Sequence, residues 1–476
     1  MKQETIRQDF DQFSEDKLNK FNVPAFAMGI AENGELRYEK EFGFRDSEEK
    51  LPLSLDTVFG VGSITKAVTA VAILQLQEKG KLHVNDPVVN YLPAFKFSNE
   101  AQSEKITIHH FLTNSSGLPP LPTLMGALKE SIESDPNFKV DPQQGNPLDA
   151  LQTIVTHSDL MDAISEAGFT PVGDPGAEFS YSNDGFALLG AIIEKVSGVP
   201  YEQYVRENIL KPAGMHHSVF HYEDLGEYEN IAVLYERGKD GDEEIVVRSN
   251  HAWDAPAMRA AGFLKSTVND MLKFTEVIRN EGKVGDVTIL SPESVKIMTT
   301  PYIACSHDMY YGYGVMIIPD FFGYKLVHHG GDIKGVTAHM NILPEIGLSG
   351  ISLANIGEAP STKLLFSAFA EYLGKPADAS YLNVEIVNLS LESLKEFEGT
   401  FMANDGMRCE FKIENNDLYL EIPGIAKTVL KPIGNDQFLF SMRDLDTTIR
   451  FRRNKSENIH LVELAFRQLN KVEGSQ

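Results

Sequence analysis

The sequence predicts an α+β fold in which both ends of a long first domain supply one sheet, a helical lobe is inserted between them, and a small all-β domain follows. Three observations carry this. AFAMGIAENGELRYEKEFGFRD holds two apolar-rich runs around Glu32-Asn33-Gly34, and Asn-Gly between such runs is a strong hairpin signal. Strand-like runs return late in the body, as KLVHHGG, GVTAHMNILP and LSGISLAN within 323–356. Beyond residue 380, short alternating runs recur between turns.

In chain order, a polar amphipathic helix comes first and residues 25–45 form the hairpin. From Ser63 to Lys79 the pattern is apolar on nearly every face (Ala67, Val68, Ala70, Val71, Ile73, Leu74, Leu76), with Gly80 placed to end the helix. Such a helix is buried at the centre of a domain. Residues 106–118 and 184–214 read as helices and loops, while Leu121 to Pro171 has no assigned element and is expected to form a partly helical cover over the site. The character shifts at Gly374-Lys-Pro-Ala-Asp-Ala-Ser380, dividing the chain into domains 1–378 and 379–476. CEFKI, LYLEI, TVLKPI, QFLFSM, TIRFRR and LVELAF then read as successive strands of a small antiparallel barrel or sandwich.

A length of 476 residues implies at least two folding units. The net charge of -25, from 43 basic and 68 acidic residues, repels polyphosphates and anionic membrane surfaces, which argues against nucleic-acid or membrane partners. Cys305 and Cys409 lie far apart without metal-ligand spacing and read as reduced, packed thiols. His109-His110 and His216-His217 are adjacent pairs, poorly placed to meet one ion, so neither a metal nor another cofactor is expected. MKQETIRQDFDQFSEDKLNK lacks the apolar run of a signal peptide and no later segment suits a membrane span, so the chain reads as cytoplasmic.

The most informative stretch is Val58-Phe-Gly-Val-Gly-Ser-Ile-Thr-Lys66, which delivers a serine to the start of the buried helix with a lysine one turn later. Residues three apart share a helix face, so the Lys66 ammonium can reach the Ser63 hydroxyl. Free N–H groups at the helix start favour a developing oxyanion, and burial lowers a lysine's pKa towards that of a base. Ser-x-x-Lys alone is weak: Ser14-Glu-Asp-Lys17 also matches, in a solvated charged helix, and a helix-capping serine with a snorkelling lysine would look the same. Asp174-Pro-Gly-Ala-Glu-Phe-Ser-Tyr-Ser-Asn183 presents Tyr181 and Asn183 two residues apart. A phenol near a cation can exist as phenolate and exchange protons, and an amide can orient lysine or substrate; a merely packed tyrosine is the alternative, and Tyr228-Glu-Asn230 repeats the pattern among acidic neighbours. His328-His329-Gly330-Gly331 ends an apolar run. Glycines on an edge strand permit close backbone approach by a ligand and an oxyanion-hole N–H, although a glycine-rich turn with incidental histidines fits the same letters.

The order Ser-x-x-Lys, Tyr-x-Asn, His-x-Gly, with VFGVGSITKAVTAVAILQLQEKGKLHVNDPVVNYLP, FLTNSSGLPP, DPGAEFSYSNDGFALLGAIIEKVSGVPYEQYVRENILKPAGM and AAGFLKSTVNDMLKF around it, resembles the class C β-lactamase-like serine hydrolases over roughly residues 20–365. That group includes penicillin-binding and D-aminopeptidase-like proteins and esterases. The resemblance implies a β-lactamase/transpeptidase-like fold, an antiparallel sheet flanked by helices plus an all-helical lobe. It implies Ser63 as nucleophile, Lys66 and Tyr181 as the acid/base pair, either of them taking the serine proton, and Asn183 as an orienting side chain. The third motif is placed at His329-Gly330-Gly331, with His328-His329-Gly330 as the rival register, and the implied oxyanion donors are the N–H groups of Ser63 and Asp332. FEGTFMAN, DLYLEI, LKPIGNDQFLF and IRFRRN resemble the lipocalin-like barrel that follows the hydrolase domain in some members; such a barrel binds a ligand, shapes the mouth of the site or mediates homo-oligomerisation.

The resemblance implies Lys-Thr-Gly or His-x-Gly as the third motif, and where Lys-Thr-Gly would supply a lysine, His329 offers no permanent cation to a substrate carboxylate. Small amide, peptide (including D-amino-acid-containing) or ester substrates are therefore expected ahead of β-lactams or D-Ala-D-Ala peptides. Lys334, close in sequence, is a candidate replacement for the missing charge. A catalytically silent ligand-binding or sensor protein on the same fold is the competing class.

Overall fold

The computed structural model describes residues 8–97, 100–140, 145–241, 243–249, 251–423 and 425–472. Asn33-Gly34 joins β1 (Ala25–Glu32) to β2 (Glu35–Asp46) as an antiparallel hairpin. Both turn residues have positive φ, 54° and 79°, the type I′ geometry that Asn-Gly accepts readily. A short β3 (Leu51–Pro52) follows. From far along the chain come β4 (Ile303–Ser306), β5 (Met309–Tyr311), β6 (Met316–Phe321), β7 (Tyr324–Ile333), β8 (Val336–Leu343) and β9 (Leu348–Ala354). The sheet runs β4-β5-β6-β7-β8-β9-β1-β2-β3, and its seam is the antiparallel pairing of Phe26 with Ala354 through Glu32 with Leu348. Both chain ends therefore build it, as the hydrophobic runs require. The strands at Ile303–Phe321 and a separate hairpin of Leu234–Asp240 with Glu243–Ser249 were not foreseen, because these runs are short or heavily charged and period-2 alternation is weak in them.

The principal helices are α1 (Gln8–Lys20), α2 (Thr65–Glu78), α3 (Thr123–Glu133), α4 (His157–Glu166), α5 (Asn183–Ser197), α6 (Val268–Arg279) and α7 (Ser361–Tyr372). α6 closes one face of the sheet, packing so near β1 that a side chain at Gly29 would meet Val268. α7 closes the other, with Phe369 against Gly350. α2 is buried from Thr65 to Leu76 and packs against α5. Within 121–171, α3 and α4 supply the expected helical content.

The C-terminal strands are β10 (Gly399–Met402), β11 (Arg408–Glu414), β12 (Asp417–Glu421), β13 (Thr428–Gly434), β14 (Gln437–Met442), β15 (Leu445–Arg453), β16 (Ile459–Leu464) and β17 (Arg467–Lys471). They close into a barrel in sequence order. Its interior is filled by Phe401, Phe411, Phe438 and Phe451, with Phe397 packed on Phe438 and Phe451 at 4.9 Å between ring centroids. Six of these strands match predicted runs, with one correction. LVELAF is not strand to its end: β16 stops at Leu464, and Ala465-Phe466 is a two-residue turn with φ of 49° and 63°. Among the described residues no helix is long and apolar enough to cross a membrane.

Candidate active site

The chain enters α2 through a helical turn at Gly62–Ile64 that leaves Ser63 facing a cavity. Gly62 has φ of 51°, and a Cβ there would sit 2.6 Å from Asp332 N, so only glycine fits. The turn is held by Thr65, whose hydroxyl donates to Gly62 O at 2.7 Å and accepts from Leu264 N at 3.2 Å.

One helical turn on, Lys66 is wholly buried. Its Nζ donates to Ser63 Oγ at 3.0 Å, Asn183 Oδ1 at 2.8 Å and Ala261 O at 2.6 Å. Burial pulls the Lys66 pKa well below the ordinary lysine value, with the charge of Asp184 opposing. Asp184 is itself buried, accepts from Thr123 Oγ1 at 2.6 Å, and has its pKa pushed up to about 6, chiefly by burial. This carboxylate escaped the sequence reading, although it follows Asn183 directly; what marks it is its burial beside a lysine.

The Tyr-Ser-Asn run is positioned by Asn114, whose backbone carbonyl accepts from Ser180 N at 2.8 Å and whose side chain accepts from Ser182 N at 3.0 Å. Ser182 then caps α5, accepting from Gly185 N at 3.1 Å, which puts Asn183 in the first turn. The Tyr181 ring lies 4.8 Å from Lys66 Nζ, and its hydroxyl hydrogen-bonds Ser63. Burial pushes the Tyr181 pKa above the ordinary phenol value, with the Ser63 hydrogen bond opposing. Of the two protonation states open to this phenol, the shift favours the protonated one.

His329-Gly330-Gly331 lies on β7, and Gly331 and Asp332 run against Gly62-Ser63: a Cβ at Gly331 would overlap Val61 O and lie 3.2 Å from Ser63 N. The N–H groups of Ser63 and Asp332 are thus neighbours. β7 is not an edge strand of the sheet, as β4 to β6 lie outside it, but its pairing with β6 ends at His328. The His329 side chain is buried, with Nδ1 donating to Gly330 O at 2.6 Å and Nε2 then accepting from Tyr311 OH at 3.0 Å. Burial, assisted by the Lys66 charge, lowers its pKa to about 3, leaving the ring neutral. His328, of the rival register, points to the opposite face against His339 and Phe366. Lys334 does not replace the missing cation: it is buried, paired with Asp135 and stacked 4.8 Å from the Trp253 ring. It instead ties the β7–β8 turn to the segment after α3.

The cavity around Ser63 measures about 1020 Å³ and is lined by the α2/β7 site, the segment entering α3, the β4–β5 hairpin, the start of α7 and one end of the barrel. The barrel is clamped there by Arg452 to Glu178 at 2.9 Å and by the Gln468 amide donating to Phe179 O at 3.0 Å. Phe466, from the β16–β17 turn, packs its ring 6.3 Å from those of Tyr181 and Phe179. No sequence signal connects residue 466 to residue 181. Among the described residues no group of three or more His, Cys, Asp or Glu side chains is arranged to hold a metal.

A mixed fold with a large antiparallel sheet, a helical lobe and a C-terminal barrel, holding Ser-x-x-Lys at the base of its cleft, defines a class of serine hydrolases. The chain belongs to the beta-lactamase family, whose model matches residues 6–367. It is similar to penicillin-binding protein 4* of Bacillus subtilis, 25% identical over 446 residues that cover 91% of this chain and 90% of that protein. Among solved structures, the octameric penicillin-binding protein homologue from Pyrococcus abyssi is 29% identical, with a TM-score of 0.69 over 97% of this chain and 99% of that one. A D-stereospecific amidohydrolase from Streptomyces sp. shares the fold at 23% identity, with a TM-score of 0.61 over 78% of this chain and 99% of that one.

Proposed function

We propose that the protein hydrolyses small amide, peptide or ester substrates, D-amino-acid derivatives among them, through an acyl-enzyme at Ser63. The observation that carries this is Lys66 Nζ held 3.0 Å from Ser63 Oγ at the base of the cavity. With its pKa lowered, Lys66 acts as the neutral amine, keeps two donations and reverses the third, so that it accepts the Ser63 proton as Oγ attacks the carbonyl. Asn183 and Ala261 keep the amine aimed during that transfer. Tyr181, a protonated phenol, passes its proton to the leaving atom and is reprotonated from Lys66. The N–H groups of Ser63 and Asp332 receive the oxyanion, worth about 3 kcal/mol per donor in such sites. Gly330 and Gly331 leave the strand bare for the acyl group. Neutral His329, with both ring nitrogens engaged, orients the strand and supplies no charge.

A phosphonate ester is expected to label Ser63, and Ser63→Ala to lose about a thousandfold or more in turnover. Well-folded protein that is neither labelled nor impaired by Ser63→Ala sinks the reading, and ligand-induced stabilisation indifferent to Ser63→Ala would favour a silent binding protein. In a panel of short esters, D- and L-aminoacyl amides, D-Ala-D-Ala peptides and a chromogenic cephalosporin, esters or small amides rank first. Resemblance to penicillin-binding proteins supports the second reading, β-lactam or D-Ala-D-Ala substrates, which a cephalosporin ranked first would establish. The same reading divides the chain into domains 1–378 and 379–476, assigns self-association to the barrel by analogy with the octameric homologue, and places the protein in the cytoplasm, a reducing compartment that suits its two free cysteines.

A further inference from the structure

Four of the barrel's hairpins turn on two residues with positive φ at both: Asn415-Asn416 (50° and 68°), Asn435-Asp436 (52° and 56°), Arg443-Asp444 (52° and 61°) and Ala465-Phe466 (49° and 63°). Asn and Asp tolerate the left-handed conformation; Ala, Phe and Arg are disfavoured there. Two turns thus have suitable chemistry throughout and two do not. The division follows location. Arg443 and Phe466 line the cavity, whereas the residues of the two well-suited turns do not. Arg443 reaches across to Glu358 of the body at 3.1 Å, and Phe466 lies against Tyr181 and Phe179. Glu457, in the β15–β16 loop away from the cavity, is a further barrel residue of unsuited type at positive φ (63°), so what distinguishes Arg443 and Phe466 is that their side chains also reach the body at the cavity.

We propose that Phe466 is a specificity-determining residue that limits the size of the leaving group. This rests on the hydrolase reading above, in which Tyr181 delivers its proton to the departing atom. That atom must come within hydrogen-bond reach of the Tyr181 hydroxyl, and on that side the wall includes the Phe466 ring, packed beside Tyr181, with Arg467 and Gln468 next to it. Substrates with compact leaving groups, such as ammonia, small amines and short alcohols, are accepted. Bulky aromatic alcohols and long peptide leaving groups are turned away. The acyl side, along Gly330-Gly331 of β7, is not touched by this restriction.

The test compares two matched ester series: one acyl group with methyl, benzyl and naphthylmethyl leaving groups, and one leaving group with acetyl to octanoyl acyl groups. In Phe466→Ala, and in the double change Ala465→Asn with Phe466→Gly, the methyl-over-naphthylmethyl preference in kcat/KM falls by about tenfold or more, while the acyl-length ranking holds. The double variant also melts at a higher temperature than the parent, because Asn-Gly suits the turn. An unchanged leaving-group preference, or a change confined to the acyl series, overturns the proposal. Phosphonate labelling of Ser63 in each variant separates the two ideas: no labelling in the parent defeats the hydrolase reading itself, whereas a labelled parent with unaltered preference defeats only the role of Phe466.

Discussion

Lysine 66 gathers three acceptors in a buried site, and its charge state is set by two opposed influences, desolvation and the carboxylate of Asp184. Asp184→Asn removes the one that raises the Lys66 pKa. Lys66 then loses its proton at lower pH, so the acid limb of the kcat/KM profile should move to lower pH. The shift is read from full pH profiles of parent and variant, and a limb that stays put, or moves to higher pH, refutes the coupling. Asp184, with a pKa near 6, also protonates within the range of such a profile, which would broaden the parent's acid limb relative to the variant's. Ser63, Lys66, Tyr181 and Asn183 were legible as residues because their spacing is local and their chemistry distinctive. Asp184, Thr123 and the Ala261 carbonyl were not, since nothing in an aspartate, a threonine or an alanine announces which buried amine it will face.

Among the elements, β7 carries the sharpest contrast, for its two glycines do different things. A Cβ at Gly331 would collide with the Val61 carbonyl and crowd Ser63 N, whereas at Gly330 the nearest atom is His339 Nδ1 at 3.3 Å. Gly331→Ala should therefore cost at least a hundredfold in kcat/KM by displacing Ser63 from Asp332 N, while Gly330→Ala retains most activity. Comparable losses in the two variants, with folding intact by circular dichroism, would contradict this geometry. The strand itself was readable from its apolar run. Its half-open edge was not, because that depends on where β6 stops pairing, and β6 was not anticipated.

The whole molecule has two separate apolar cores, one spanning the body and one inside the barrel. Ion pairs, hydrogen bonds and the Phe466 ring contacts join them at the cavity. Units with their own cores are expected to unfold separately, so calorimetry should resolve two transitions, drawn closer together at low ionic strength where Arg452–Glu178, Arg443–Glu358 and the pairing of Lys17 and Lys20 with Asp444 are strongest. A single transition at all salt concentrations would mean that the interface fuses the two units.

By itself the sequence determined the α+β class, the sheet shared between chain ends, the C-terminal barrel and the order of three motifs, because periodicity, turn residues and helix-face spacing are local properties. Tertiary structure alone decided that Lys334 is consumed by Asp135 and Trp253, that the Tyr181 ring lies against Lys66, and that a turn near residue 466 completes the cavity of a serine at residue 63. Those facts rest on contacts between residues far apart in the chain, where burial shifts ionisation and the packing of one core's surface on the other's sets the shape of the site.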